Sequence, residues 1–289
     1  MTAGTGPDSA RTITLDAHVH TDASYDCSTA PERVVDAALA AGLDAVAVTD
    51  HDAVDGARRA VAAAEGTDLL VVPGVEVSTA EGHLLALGVE RAPTPDRPFA
   101  ETVETVRSTG GVAVVPHPFQ VSRHGVTRGT LVDCELDGVE TLNAVAVTGL
   151  QNRRARRFAA AEGYPTVGGS DAHRPDLIGR SFTSVTLPEG VDWATMTVAD
   201  VLAGIRAGEA TAQGTVTTPV EFAKTYAWHA RDTAATAVES ARAASATGRS
   251  AAGSHPAVGA GAVLGSALLL GSRAERLGRA PRRIAGRVR

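Results

Sequence analysis

The sequence predicts an α/β fold, read as a barrel of strands wrapped by helices. Three observations carry that reading. From Thr12 to about Gly208, short apolar runs alternate with Ala-rich amphipathic stretches, the rhythm of repeated β-α units. Hydrophobic residues make up 44% of the 289, enough for a full core, while aromatics are only 3%, so Ala, Val and Leu must build it. No GxGxxG follows the first apolar run, which weakens the competing reading of a doubly wound open sheet holding a dinucleotide.

The elements follow in order. Residues 12–20 alternate cleanly, with Ile13, Leu15, Ala17 and Val19 on one face and Thr14, Asp16, His18 and His20 on the other. Thr29-Ala-Pro-Glu32 reads as a capping box with proline in the first turn, and Gly42 closes that helix. Further strands are expected at 45–49, 69–77, 84–89, 112–115, 138–142, 166–168 and 182–187, with helices near 55–65, 99–108, 151–162 and 198–207. That makes seven or eight strands, mostly joined by helices, inside a domain spanning 12–215. A helical extension at 216–247 and a Gly/Ala/Arg-rich tail at 248–289 complete the chain.

Charge and cysteine usage narrow the class. The net charge is −6, but residues 273–289 hold seven arginines against Glu275, so residues 1–272 sit at −12. An acidic body argues against duplex nucleic acid as a partner and suits a cation-rich site. Two isolated thiols, Cys27 and Cys134, give no disulfide framework, and the N-terminus lacks a basic and an apolar signal region. A cytoplasmic protein is the expectation. The apolar run from Pro256 to Gly271 is about 16 residues, short of the roughly 20 that a spanning helix needs. Membrane contact by the tail is therefore the lesser alternative to a dispensable extension.

The informative pattern is where His, Asp and Glu fall. His18-Val-His20 ends the first strand and Asp50-His-Asp52 the second. Glu76 sits late in the third and His83 opens the next. His117 follows 112–115 as Pro-His-Pro, and Asp171-Ala-His173 follows 166–168. A single histidine at a strand end is more often a structural residue satisfied by hydrogen bonds; a set spread over five strand ends is not explained that way. In a barrel such ends share one rim, where barrel enzymes keep their active sites. Neutral imidazoles and carboxylates together balance two or three divalent cations, a glutamate can bridge two of them, and a bridging hydroxide would be the nucleophile.

These residues lie in motifs. Asp16-Ala-His-Val-His-Thr-Asp-Ala-Ser24 with Asp26, Gly42-Leu-Asp-Ala-Val-Ala-Val-Thr-Asp-His-Asp52, Pro73-Gly-Val-Glu-Val77 with Gly82-His83, Val115-Pro-His-Pro118 and Gly169-Ser-Asp-Ala-His173 occur in this order. The chain thereby resembles the PHP (polymerase and histidinol phosphatase) family, in its general phosphoesterase branch. The resemblance implies a distorted (β/α)7 TIM-like barrel and hydrolysis of phosphate esters with two or three divalent metal ions, Mn²⁺, Zn²⁺ or Fe²⁺. It places His18, His20, Glu76 and Asp171 on a first metal, Glu76, His83 and His117 on a second, and Asp26, His51 and His173 on a third. Glu76, Asp171 and His173 are then the catalytic candidates. Asp16 and Asp50 are expected to orient histidines from behind, and Asn143 to point into the site or cap its strand.

A phosphate substrate also wants fixed positive charge. Arg180 is the first candidate, then Arg123 and His124 in the loop after His117. Cys27, Cys134, His229 and His255 are set aside, and Gly168-Gly-Ser-Asp is no nucleophile elbow. The substrate class is a small phosphorylated metabolite, a nucleotide or an oligonucleotide end. The alternatives are a non-catalytic metal-binding module acting through a partner, and an amidohydrolase-type hydrolase. The second usually needs a carboxylated lysine, and the sole lysine, Lys224, lies outside the barrel.

Overall fold

The computed structural model describes residues 11–146, 149–218 and 220–221. The chain divides into two compact units, 1–229 and 230–289, and the described residues belong to the first. The expected extension and tail therefore fall outside them, save for the segment up to Glu221, where Thr218 and Glu221 bond to each other. Among the described residues no helix is long and apolar enough to cross a membrane.

Nine strands are described: β1 (Thr12–Val19), β2 (Ala45–Val48), β3 (Leu70–Thr79), β4 (Gly82–Leu87), β5 (Val112–Val115), β6 (Gly138–Asn143), β7 (Thr166–Gly169), β8 (Ser181–Thr186) and β9 (Ala210–Gly214). They form one sheet in the order β7-β6-β5-β4-β3-β2-β1-β8-β9. The helices are α1 (Pro31–Ala40), α2 (Asp55–Ala64), α3 (Phe99–Ser108), α4 (Arg128–Leu131), α5 (Leu150–Glu162) and α6 (Val198–Arg206). The sheet nearly closes on itself. Thr183 Oγ1 bonds both the amide and the carbonyl of Gly168, Asp171 N donates to His18 O, and His20 N donates to Ala172 O. A Cβ at Gly168 would run into the Phe182 carbonyl, so glycine is what lets β7 approach β8.

The barrel reading holds, but the β-α repeat is interrupted. β3 and β4 form an antiparallel hairpin with no helix between them, and β8 and β9 are added antiparallel at the far edge. The hairpin matters for the site. β4 runs against its neighbours, so its first residues lie at the rim where β1, β2, β3, β5, β6 and β7 end, and His83 arrives there from a strand start.

Inward and outward faces are separated by packing. Ile13, Leu15, Ala45, Ala47, Leu85, Val112, Val114 and Val167 meet in the interior, and α6 closes the base of that layer with Val201, Leu202 and Ile205. Val34, Ala57 and Ala60 of α1 and α2 pack outside against Val46 and Val48, while α3 and α5 cover β4 to β6. Ala17 belongs to the interior layer, yet Val19 joins the outer one. Strict alternation along β1 would therefore turn His18 and His20 outward. The register of β1 against β2 shifts between Asp16 and Val19, and this irregularity re-aims both histidines into the mouth.

One local expectation fails. Thr29 does not cap α1, whose N-cap is Ala30 with no side-chain bond; its hydroxyl donates instead to His173 O at 3.3 Å. A capping box does form at α6, where Thr197 and Asp200 bond reciprocally.

Candidate metal centre

Glu76 is the centre of the rim. It follows Leu70, Val72 and Gly74 on the inward face of β3, and is 1% exposed. Its two oxygens face different histidines. Oε1 lies 2.8 Å from His83 Nδ1 and 3.0 Å from His117 Nε2. Oε2 lies 3.2 Å from His18 Nε2, 3.3 Å from His20 Nε2 and 3.6 Å from His51 Nδ1. Asp171 Oδ1 completes the first side, 3.7 Å from His18 Nε2 and 3.4 Å from His20 Nε2. On the open side, Asp26 Oδ2 stands 3.0 Å from His173 Nε2 and 3.6 Å from His51 Nε2.

All nine side chains that the motifs single out thus meet at one mouth. Four overlapping groups of three present their donor atoms within 4.8 Å of one another: His18-Glu76-His117, His18-His20-Asp171, His20-His51-Glu76 and His20-Asp26-His173. The partition differs in detail from the one the resemblance implies. Glu76 shares groups with His18 and His117 or with His20 and His51, and the Asp26-His173 pair groups with His20.

The donor set fits cations. Glu140 Oε1 lies 3.1 Å from His18 Nδ1 and accepts a hydrogen bond from its N–H, which leaves a lone pair on His18 Nε2 aimed at His20 Nε2 only 3.1 Å away. Buried lone pairs facing each other and two carboxylates are unfavourable unless positive charge lies between them. Asp171 Oδ1 and His51 Nδ1 are buried with no hydrogen-bond partner. Separations of 3.1–3.7 Å also match the edge of a tetrahedral site, roughly 3.4 Å for bonds of about 2.1 Å.

Protons supply the missing charge when cations do not. Burial opposes protonation of His18, but Asp171, Glu76 and Glu140 hold its pKa well above the ordinary value. Burial would raise Glu76 and Asp171; instead His18, His83 and His51 draw Glu76 far down, and Arg123 and His18 do the same for Asp171. His173 rises against its own burial because Asp26 bonds it, and Asp26 falls in return.

The supporting groups sit where the sequence left them open. Asp16 and Asp50 do not touch the imidazole rings. Asp16 accepts from the amides of Ser170, Gly179 and His18, tying β1 to the segment that carries Asp171, and burial pushes its pKa up to about 6. Asp50 accepts from Thr21 N and Oγ1 and fixes the turn after His20. The group that orients rings is Glu140 on β6, which the motif reading passed over. Besides His18 it accepts from His117 N at 2.6 Å and Asn143 Nδ2 at 2.9 Å. Asn143 also donates to Asp171 Oδ2. Glu140 had a signal: a lone carboxylate within a strand that is otherwise uncharged, as Glu76 is.

The three candidates for phosphate separate. Arg123 donates from Nη1 to Asp171 Oδ2 and is 26% exposed, so it touches the cluster. His124 stacks on His83 with ring centres 5.1 Å apart, and burial followed by His83 lowers its pKa. Arg180 has its fork on the Glu221 carboxylate at 2.8 and 2.9 Å instead. Tyr25, unmarked in the sequence, stacks on His51 at 4.8 Å and is 80% exposed at the mouth. Several residues here hold left-handed backbone without being glycine: His117, Phe119, His124, Asp171 and Asp52. Such conformations cost about 1–3 kcal/mol each and gather where a side chain must be aimed.

Comparison with known proteins agrees with this geometry. The PHP domain model matches residues 16–115, and the PHP-associated model matches 149–210. The chain belongs to the PHP family. This PHP chain is 29% identical over 150 residues to an uncharacterized protein of Methanocaldococcus jannaschii, covering 48% of its own length and 87% of that protein. It is 37% identical over 82 residues to a 3',5'-nucleoside bisphosphate phosphatase of Chromobacterium violaceum, covering 27% of its own length and 28% of that protein. Among solved structures, PsfC of Pseudomonas syringae superposes with a TM-score of 0.59 at 19% identity, over 76% of this chain and 98% of that one. That likeness is one of fold.

Proposed function

We propose that this PHP chain is a metal-dependent phosphoesterase acting on a small phosphorylated metabolite, a nucleotide or an oligonucleotide end. The observation that carries the reading is Glu76, one carboxylate whose two oxygens face two separate histidine pairs. That arrangement suits a bridge between neighbouring cations. Two or three divalent ions, Mn²⁺, Zn²⁺ or Fe²⁺, held by His18, His20, Glu76 and Asp171, by His83 and His117 with Glu76, and by Asp26, His51 and His173, would supply Lewis acidity and activate water.

The chain's own residues do the rest. Glu140 keeps the His18 proton on Nδ1, so that Nε2 always faces inward as a donor atom. Asn143 and Arg123 both hold Asp171 Oδ2, which leaves Oδ1 for the cluster. Arg123 offers its remaining N–H groups to phosphate oxygens as charge builds on them. We assign it that role ahead of Arg180, whose fork is already engaged, with His124 at the margin. Asp171 and His173 count as catalytic with Glu76, because all three belong to the donor groups that would hold the cations. The similarity to a bisphosphate phosphatase puts nucleotides first among substrates to try.

The test is a phosphate-release screen over nucleotides, nucleoside bisphosphates, sugar phosphates and short oligonucleotides. Purified protein is first stripped with chelator and then supplied with Mn²⁺, Zn²⁺ or Fe²⁺. Hydrolysis that vanishes on stripping and returns with metal is the expected result. Protein that binds metal tightly yet releases no phosphate from any substrate is a non-catalytic module, and the proposal is then wrong.

A further inference from the structure

The charge on α5 differs from that of every other long helix among the described residues. Arg153, Arg154, Arg156 and Arg157 are exposed, while Asn152, Ala155, Phe158 and Ala159 are buried against the barrel. At 100° per residue the four arginines fan over the face opposite that buried stripe. None of them makes an ion pair with another described residue, whereas eight other described arginines each face a carboxylate.

The arrangement works against the helix. Arginines three and four apart repel one another. Arg153 sits in the first turn of this 13-residue helix, where the backbone dipole disfavours cations. Helices α1, α2, α3 and α6 each place an acid in the first turn, namely Glu32, Asp55, Glu101 and Asp200, and α5 places none. An external polyanion would relieve this unfavourable charge.

The patch also adjoins the metal centre. β6 ends at Asn143, which bonds Asp171, and Asn152 in the first turn of α5 bonds the backbone of Asn143 in both directions. Arg154 lies over the ring of Phe119, two residues after His117, at 5.2 Å. The helix thus starts at the reactive rim, and the four arginines cover about 6 Å of its axis within its first eight residues.

We infer that the arginine face of α5 is a binding track for the phosphodiester backbone of single-stranded nucleic acid, whose end is presented to the metal centre. Guanidinium forks match phosphate oxygens, and a row that starts at a phosphoesterase rim fits the remainder of a substrate chain better than a flat membrane. The track rests on the phosphoesterase reading for the chain's direction, but its binding stands without catalysis. On this one helix face the local charge is positive, although the whole chain carries −6.

The experiment is anisotropy of a labelled single-stranded oligonucleotide of about 12 nucleotides, titrated with full-length protein in chelator across a salt series. The triple variant Arg153→Ala, Arg156→Ala, Arg157→Ala should bind at least about tenfold more weakly at low salt. Its slope of log K against log salt should fall by about 2, at roughly 0.7 for each phosphate no longer neutralised. The tail arginines are common to both proteins, so the difference reports α5. Release of phosphate from a small ester by the metal-loaded variant should be unchanged. Unchanged affinity and slope overturn the inference, and so does binding confined to vesicles of anionic phospholipid with none to the oligonucleotide. Loss of phosphate release in wild-type protein alongside intact, α5-dependent binding would instead strike only the phosphoesterase reading.

Discussion

Glu76 on β3 and Glu140 on β6 are both buried glutamates in the barrel mouth, yet their surroundings are opposite in kind. Glu76 faces imidazole nitrogens alone, five of them within 3.6 Å. Glu140 faces one imidazole, a backbone amide and a carboxamide, all of them donors that it satisfies fully. The first is a carboxylate on which five imidazoles converge; the second is a finished hydrogen-bond network. The lesson is that burial of a charge does not by itself mark a metal ligand. What marks it is metal-donor atoms of several residues that converge within 4.8 Å of one another.

The largest expected effect breaks the comparison at its reactive side. Glu76→Gln removes the charge that the histidines surround, and kcat should fall by orders of magnitude, with a matching loss of bound metal by elemental analysis and a retained circular dichroism spectrum. Near-normal turnover would remove Glu76 from its bridging role. Glu140→Gln should cost less, about 10–100-fold in metal affinity or activity, because His18 loses only the charge on its acceptor. Glu140→Ala should also lower the melting temperature, since three buried donors lose their partner at about 1–3 kcal/mol for each left unpaired.

The two arginines sharpen the picture further out. Arg123→Ala should raise KM and lower kcat together, since it touches Asp171, while Arg180→Ala should leave kcat nearly intact and act on stability through Glu221. Steady-state kinetics on both variants decides their order. The smallest effect is on the stripped protein. His18, His20 and His173 have raised pKa values in the folded state, so they stabilise it fully below the unfolded value of about 6.5, and that contribution fades as pH rises through their folded values. His117 is lowered, and above 6.5 it is neutral in both states and adds nothing to the slope. The melting temperature of chelated protein should therefore drop as pH rises above about 6.5 through these raised folded values, and the metal-loaded protein should show a smaller drop, because metal holds the imidazoles neutral. A flat profile for the stripped protein would mean the cluster carries no such protons.

Much of this was legible in the sequence because period-two strands and rim geometry constrain where a strand-end histidine can go. The meeting of His51, Glu76, His83, His117 and Asp171 at one rim followed from that rule. The irregularity in β1 did not, because a one-residue register shift leaves no mark in the apolar pattern; alternation alone puts His18 on the wrong face. Thr29-Ala-Pro-Glu32 carries a capping signature, yet His173 O competes for the threonine hydroxyl and wins. Arg180 looked like the phosphate ligand by its place after Asp171-Ala-His173, and only the fold reveals that Glu221 occupies its fork. Local pattern fixes which side chains reach the mouth, while long-range partners decide how each of them is engaged there.

The central claim is that Glu76 joins two cation positions. Anomalous scattering from crystals grown with Mn²⁺ tests it most directly. At least two peaks about 3.5–4 Å apart are expected, one beside Glu76 Oε1 with His83 and His117, the other beside Oε2 with His18 and His20. A single peak that leaves one Glu76 oxygen uncoordinated, or peaks lying away from Glu76, would contradict it.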